Sequence, residues 1–262
     1  MRRVWGVILV GLVGRTSVQR MSERQRIASD AHVPPDLLQW LQSYSREDAL
    51  LQDAALINLD FWNTRLRGLG TTVSGFDHDG NLVERGAAHL TRPQLFAMAL
   101  DLDATDPFHF LLHTLIWESA THRRRILNHL EELARHRTTI RRLLLHARAI
   151  AEDSPGEAYA FLHPPRRGNT IPYLGPASSS KVLYFSGAGH PAHPVLIVDD
   201  RVRASLSKSA TNGNRSHYRT FTRLNHETDL ATMHDLASSA SNLTGRPVAA
   251  DEVEMWATNR PA

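Results

Sequence analysis

Lysine is scarce in this chain. Of its 30 Lys and Arg residues only Lys181 and Lys208 are lysine. Arginine supplies positive charge almost anywhere but stays protonated, whereas a lysine amine can attack an electrophilic carbon. Lys181 ends the run Tyr173-Leu-Gly-Pro-Ala-Ser-Ser-Ser-Lys181 and is followed by Val-Leu-Tyr-Phe. Further on, past Gly187-Ala-Gly-His-Pro-Ala-His-Pro194 and the apolar Val195-Leu-Ile-Val198, stands Asp199. Asp199 is a candidate carboxylate partner for this amine, whose pKa a helix start and nearby arginines would lower toward the neutral, nucleophilic form. Asp200 is adjacent, but the spacing to Val202 and Leu206, both expected in the core, favours Asp199 as the partner.

The elements around this pair are helical. Ser154-Pro155-Gly156-Glu157 starts a short helix ending near Leu162, a Gly/Pro hairpin follows, and a second helix covers about 178–186. That places Lys181 in or near a first turn. The serines Ser178, Ser179 and Ser180, with Gly175, offer hydroxyls and free backbone N–H groups at a positive dipole end, a setting for a phosphate. Asp199 precedes another helix from about Arg201, where a carboxylate is a favoured cap. Upstream, Leu37, Leu38, Leu41, Leu50, Leu51, Ala54 and Ala55 recur at helical spacing from Pro34 to about Leu59. The glycines of 68–90, with Asp79-Gly80, predict loop and a short hairpin. Thr91-Arg92-Pro93 and Asp106-Pro107 open helices, and further helical signals cover 126–150, 227–241 and 250–257. The expected fold is all-α, as one large domain or two small lobes.

With 262 residues, 42% apolar and 22% charged, the chain can build a substantial core and does not read as disordered. Its formal charge of +3 is unevenly spread. Arg123, Arg124, Arg125, Arg135, Arg137, Arg141, Arg142 and Arg148 share one stretch that Arg166 and Arg167 extend, either as a solvated helix face or as a phosphate-tracking surface. The absence of cysteine excludes disulfides, Cys-ligated zinc and iron–sulfur clusters. Val4–Gly14 is signal-like, but it is too short to span a bilayer comfortably and lacks a small-x-small site. Residues 1–20 therefore read as an extension ahead of a start at Met21, and 21–262 as a cytoplasmic helical domain.

Rival sites are weaker. His109 and His113 stand at i, i+4 with Glu118 following, but His-Glu-x-x-His is absent, and among 15 histidines the spacing is unremarkable. Gly-x-Ser-x-Gly is missing too. Trp117 and Trp256 are aromatics that could line a base pocket, although core packing explains an aromatic on a helix more often. No metal and no cofactor are expected.

The lysine helix and the aspartate after it resemble the helix-hairpin-helix superfamily of DNA glycosylases, with the motif at about 157–186. Leu174-Gly175-Pro176 stands for the hairpin, Lys181 for the lysine of the second helix, and Val198-Asp199 for the Val-Asp pair opening the next. Gly175–Phe185 and Leu196–Val202 are most similar to bacterial proteins with the 8-oxoguanine DNA glycosylase fold, and the likeness extends over 91–257. The usual Leu-Pro-Gly-Val-Gly-x-Lys is altered here, which puts the hairpin's phosphate contact in doubt. The resemblance implies a monomer that grips double-stranded DNA through Gly175, Ser178, Ser179, Ser180 and Arg201. It implies that a damaged or modified base is flipped out and excised, with Lys181 as nucleophile, Asp199 assisting and an associated lyase step. Near Trp256, Glu254 becomes a further site candidate. An oxidised purine and a hypermodified base of phage DNA both remain open as substrates. A non-catalytic DNA-binding module remains the alternative.

Overall fold

Capping decides where the N-terminal helices stop. The computed structural model describes residues 32–102, 104–119, 127, 129–164, 168–209 and 220–260. The N-terminal extension, Met21, Arg123–Arg125, Arg166 and Arg167 lie outside them. α1 (Pro35–Ser43) ends at Tyr44, and Ser45, accepting from the Asp48 N–H, starts α2 (Arg46–Gln52). The one helix expected from Pro34 to Leu59 is thus two helices and a strand. β1 (Ala54–Asn58) buries Ala55 and Ile57 and exposes Leu56. That two-residue alternation was hidden by the helical spacing of its neighbours.

β1 pairs antiparallel with β4 (Ala87–Thr91), in register Ala54 to Thr91. β4 also pairs with β2 (Gly75–Phe76), which pairs with β3 (Leu82–Val83), giving the order β1-β4-β2-β3. The expected hairpin is therefore part of a four-stranded sheet. It reverses at Asp79-Gly80, where Gly80 has φ 79° and Asp77 Oδ1 accepts from the Asp79 and Asn81 N–H groups. α3 (Leu59–Leu66) fills the gap between β1 and β2, capped by Asn58.

The rest is helical: α4 (Arg92–Leu100), α5 (Pro107–Glu118), α6 (Leu130–Arg135), α7 (Arg137–Asp153), α8 (Pro155–Leu162), α9 (Pro176–Ser186), α10 (Asp200–Ser209), α11 (Arg223–Thr244) and α12 (Ala250–Asn259). Thr91 and Asp106 cap α4 and α5 through their side chains, as their sequence signals predict. α9 is buried on all sides from Ser179 to Ser186 and packs against α4, α5, α7 and α8. A helix enclosed in this way needs apolar residues around its circumference, and Val182, Leu183, Tyr184 and Phe185 provide them. α12 packs on α11, α10, α1 and α2, so buried apolar side chains form one cluster from Val33 to Ala257. Among the described residues no helix is long and apolar enough to cross a membrane.

Candidate active site

The charged residues of α5 and α9 meet. Each helix has a single formally charged side chain apart from histidine, Glu118 on α5 and Lys181 on α9. Lys181 Nζ donates to Glu118 Oε1 at 3.1 Å and stands 3.5 Å from Asp199 Oδ2. The lysine side chain is only 9% exposed, whereas the two carboxylates retain 23% and 22%. The sequence predicted an electropositive setting for this amine in a first helical turn. Instead Lys181 is the sixth residue of α9, beyond the reach of the helix end, and its nearest charged neighbours are carboxylates.

Asp199 is held by its own backbone. Its Oδ1 accepts from the N–H groups of Arg201 (3.0 Å) and Val202 (3.1 Å), capping α10 and leaving Oδ2 for Lys181. Asp200 is exposed and opens the helix. One residue back, Ser180 Oγ accepts from Val198 N–H at 3.1 Å, and its proton faces Ala177 O (2.8 Å) and Val198 O (3.2 Å). The residues preceding Lys181 and Asp199 are thereby joined by buried hydrogen bonds, which fixes the two side chains relative to each other. Ser180 is thus a positioning residue with no exposed face for a phosphate. Ser179 is fully buried as well.

Gly175, Ser178, Lys181, Asp199, Arg201 and Trp117 line a common cavity of about 900 Å³. Gly175 does so with its N–H bonded to Tyr173 O at 3.1 Å, and so not free for a phosphate. The turn itself is Ile171–Leu174, beginning three residues before the Leu174-Gly175-Pro176 read from sequence, and its left-handed position falls on Tyr173, φ 64°. Trp117 lies edge-on to Phe185, at 5.1 Å between centroids, and its buried indole N–H has no partner. Trp256 does not line the cavity. It is buried in the core with the Arg260 guanidinium 5.1 Å from its ring. Its helix reaches the cavity through Glu254 and Thr258, which share a face at i, i+4, and a residue two positions on points away from that face.

Asp53, Arg92 and Glu254 form the far wall. Arg92, 1% exposed, binds Glu254 through Nη1 (2.7 Å) and Nη2 (3.2 Å), and Asp53 through Nε (2.6 Å). Burial pushes the Glu254 carboxyl above its ordinary range, against the opposing pull of Arg92. Burial of Arg92 works against its charge, but Glu254, Tyr184 and Asp53 outweigh it and hold the guanidinium protonated. The cavity is therefore lined by four carboxylates and three cations, and two of those cations, Arg92 and Lys181, are each paired with two of the carboxylates.

The histidine pair has other work. His109 Nδ1 lies 3.0 Å from Thr71 Oγ1, and His113 Nδ1 lies 3.0 Å from His109 O, with its Nε2 facing the Ser74 N–H. Among the described residues no cluster of three or more His, Asp or Glu side chains could hold a metal ion. On α7, Arg137, Arg141 and Arg142 are exposed, while Ile140, Leu144, Ala147 and Ala151 face inward. None of these arginines lines the cavity.

A mainly helical chain whose second hairpin helix presents a lysine to the aspartate capping the next helix has a helix-hairpin-helix glycosylase-like fold. A family model described as "Putative 8-oxoguanine DNA glycosylase OGG-like protein" matches residues 48–257, and the chain belongs to this family. No curated protein and no solved structure matches it.

Proposed function

We propose that the protein is a DNA glycosylase that takes a base flipped from double-stranded DNA into this cavity and cuts its bond to the sugar, with Lys181 as nucleophile. The observation that carries the reading is the single buried amine, 3.1 Å from Glu118 and 3.5 Å from Asp199, at the wall of an open cavity. Glu118 takes the ammonium proton, and the freed amine attacks C1′ as the base leaves with the electrons of the glycosidic bond. The base then picks up a proton. Asp199 faces the positive charge that develops on the sugar, and the acid-rich lining favours that charge in the same way. The C1′–O4′ bond of the adduct then breaks, O4′ taking a proton as the nitrogen gives one up, to leave a Schiff base between Lys181 and C1′. Loss of a C2′ proton expels the 3′ phosphate by β-elimination and nicks the strand. Burying a nucleoside among carboxylates requires that it be extruded from the duplex first.

The family description supports an oxidised purine of the 8-oxoguanine type as substrate. The test is base release from duplexes carrying 8-oxoguanine, uracil or glucosylated hydroxymethylcytosine, with Lys181→Gln and Asp199→Asn beside the wild type. Asn still caps α10, so Asp199→Asn removes charge without removing the helix start. The expected result is release from the 8-oxoguanine duplex, with Asp199→Asn slower by at least about 100-fold and Lys181→Gln inactive. DNA binding without release from any of the three would support the non-catalytic module instead.

A further inference from the structure

Beside the reacting groups the cavity has an aromatic mouth. Tyr173 and His129 both line it, with ring centroids 3.3 Å apart and planes within 11°, a face-to-face stack at about the spacing of adjacent bases. Tyr173 is 47% exposed, and among the described residues no ring other than His129 lies against it. Its phenol donates to Glu132 Oε2 at 2.8 Å, which fixes the ring in its plane. The backbone beneath it is left-handed, φ 64°, a conformation that glycine adopts freely and a bulky residue does not. The chain thus carries a large aromatic at the hairpin position least suited to one, and residues held in such backbone conformations cluster at active sites and ligand clamps.

We propose that the Tyr173–His129 stack is a landing platform on which a nucleobase that has left the duplex stacks at the entrance to the Lys181 cavity. This rests on the reading of the cavity as a base site. The outer face of Tyr173 offers the π-surface that an unpaired base loses on leaving the helix, and stacking on an aromatic ring accepts any base. His129 backs the ring and the bond to Glu132 holds it, so the platform exists before DNA arrives.

Binding to a duplex with one bulged, unpaired purine, compared with the same duplex fully paired, tests this without any bond being cut. The wild type is expected to prefer the bulge by about tenfold. Tyr173→Phe keeps most of that preference. Tyr173→Gly, and Tyr173→Asn as a second residue that tolerates the left-handed backbone, bring it close to one. Tyr173→Gly is further expected to unfold at the same or a higher temperature, because glycine relieves the backbone. Loss of preference with intact stability supports the platform. A wild type indifferent to the bulge, or a preference unchanged in Tyr173→Gly, overturns it. Base release is scored separately, so release with an unchanged bulge preference sinks the platform alone. A platform without base release sinks only the glycosylase reading.

Discussion

An acid at the C-terminal end of a helix faces the negative end of the helix dipole, so Glu118, the last residue of α5, is locally unfavourable and needs a cation from elsewhere in the fold. Lys181 supplies it at 3.1 Å. As the nearer of the two carboxylates, Glu118 is the better placed proton acceptor, and Asp199, tied to the start of α10, is the better fixed electrostatic partner. Glu118→Gln is therefore expected to slow base release by about 100-fold or more while DNA affinity stays within a few-fold, measured under single-turnover conditions. A rate within twofold of the wild type would remove Glu118 from the proton path. Lys181 and Asp199 were legible in sequence because a lysine in a chain that otherwise uses arginine almost throughout and an aspartate opening a helix are local signals. Glu118 was visible only as an acid after two histidines. Its signal was its place as the sole acid of a mostly apolar helix, and its partner lies 63 residues away.

At the scale of elements, α9 shows how a serine-rich helix start can mislead. Such serines suit a phosphate when they face water, but α9 is enclosed, so Ser179 and Ser180 turn inward and Ser180 ties the helix to the segment before Asp199. Only tertiary packing decides between these uses, as it decides that Ala54–Asn58 is a strand. The caps at Thr91, Asp106 and Asp199 are set by local hydrogen bonds and were legible. Packing also places a histidine where it cannot easily ionise. His226 of α11 stacks on Tyr159, 4.0 Å between centroids and 13° between planes, and neither ring nitrogen has a partner. Burial, with Arg203 nearby, pulls its pKa down from 6.5 to about 3. The unfolded chain thus binds a proton on this residue that the folded chain does not, so its contribution is flat above pH 6.5 and is lost as pH falls toward 3. The slope approaches about 1.4 kcal/mol per pH unit. His113, also at about 3 through burial, adds a second loss of the same sign. His226→Phe keeps the stack and removes two buried unsatisfied atoms. Thermal unfolding at pH 7 and pH 4.5 should show an equal or higher Tm at pH 7 and a shallower fall to pH 4.5. A parallel fall would mean that His226 is not one of the groups responsible.

Across the whole molecule, the cavity is assembled from distant parts of the chain. Asp53 stands between α2 and β1, Arg92 opens α4, and Glu254 comes from α12, and their ion pairs tie the edge of the sheet to the C-terminal helix. Breaking such a buried pair leaves a charge without its partner, so this wall holds its shape. The mainly helical class and the order of most helices were readable from periodicity and caps. The far wall was not, because nothing local to Asp53 or Arg92 points to a residue near 254. On that helix Trp256 packs into the core, while the residues two positions to either side, Glu254 and Thr258, reach the cavity.

The account stands or falls on the Lys181 amine forming a bond to the sugar. Borohydride reduction during reaction with an 8-oxoguanine duplex, followed by peptide mapping, tests that bond directly. A DNA adduct on Lys181, absent when Asp199→Asn is used in place of the wild type, is the predicted result. Continued base release with no adduct, or an adduct on any other residue, would contradict Lys181 as the nucleophile.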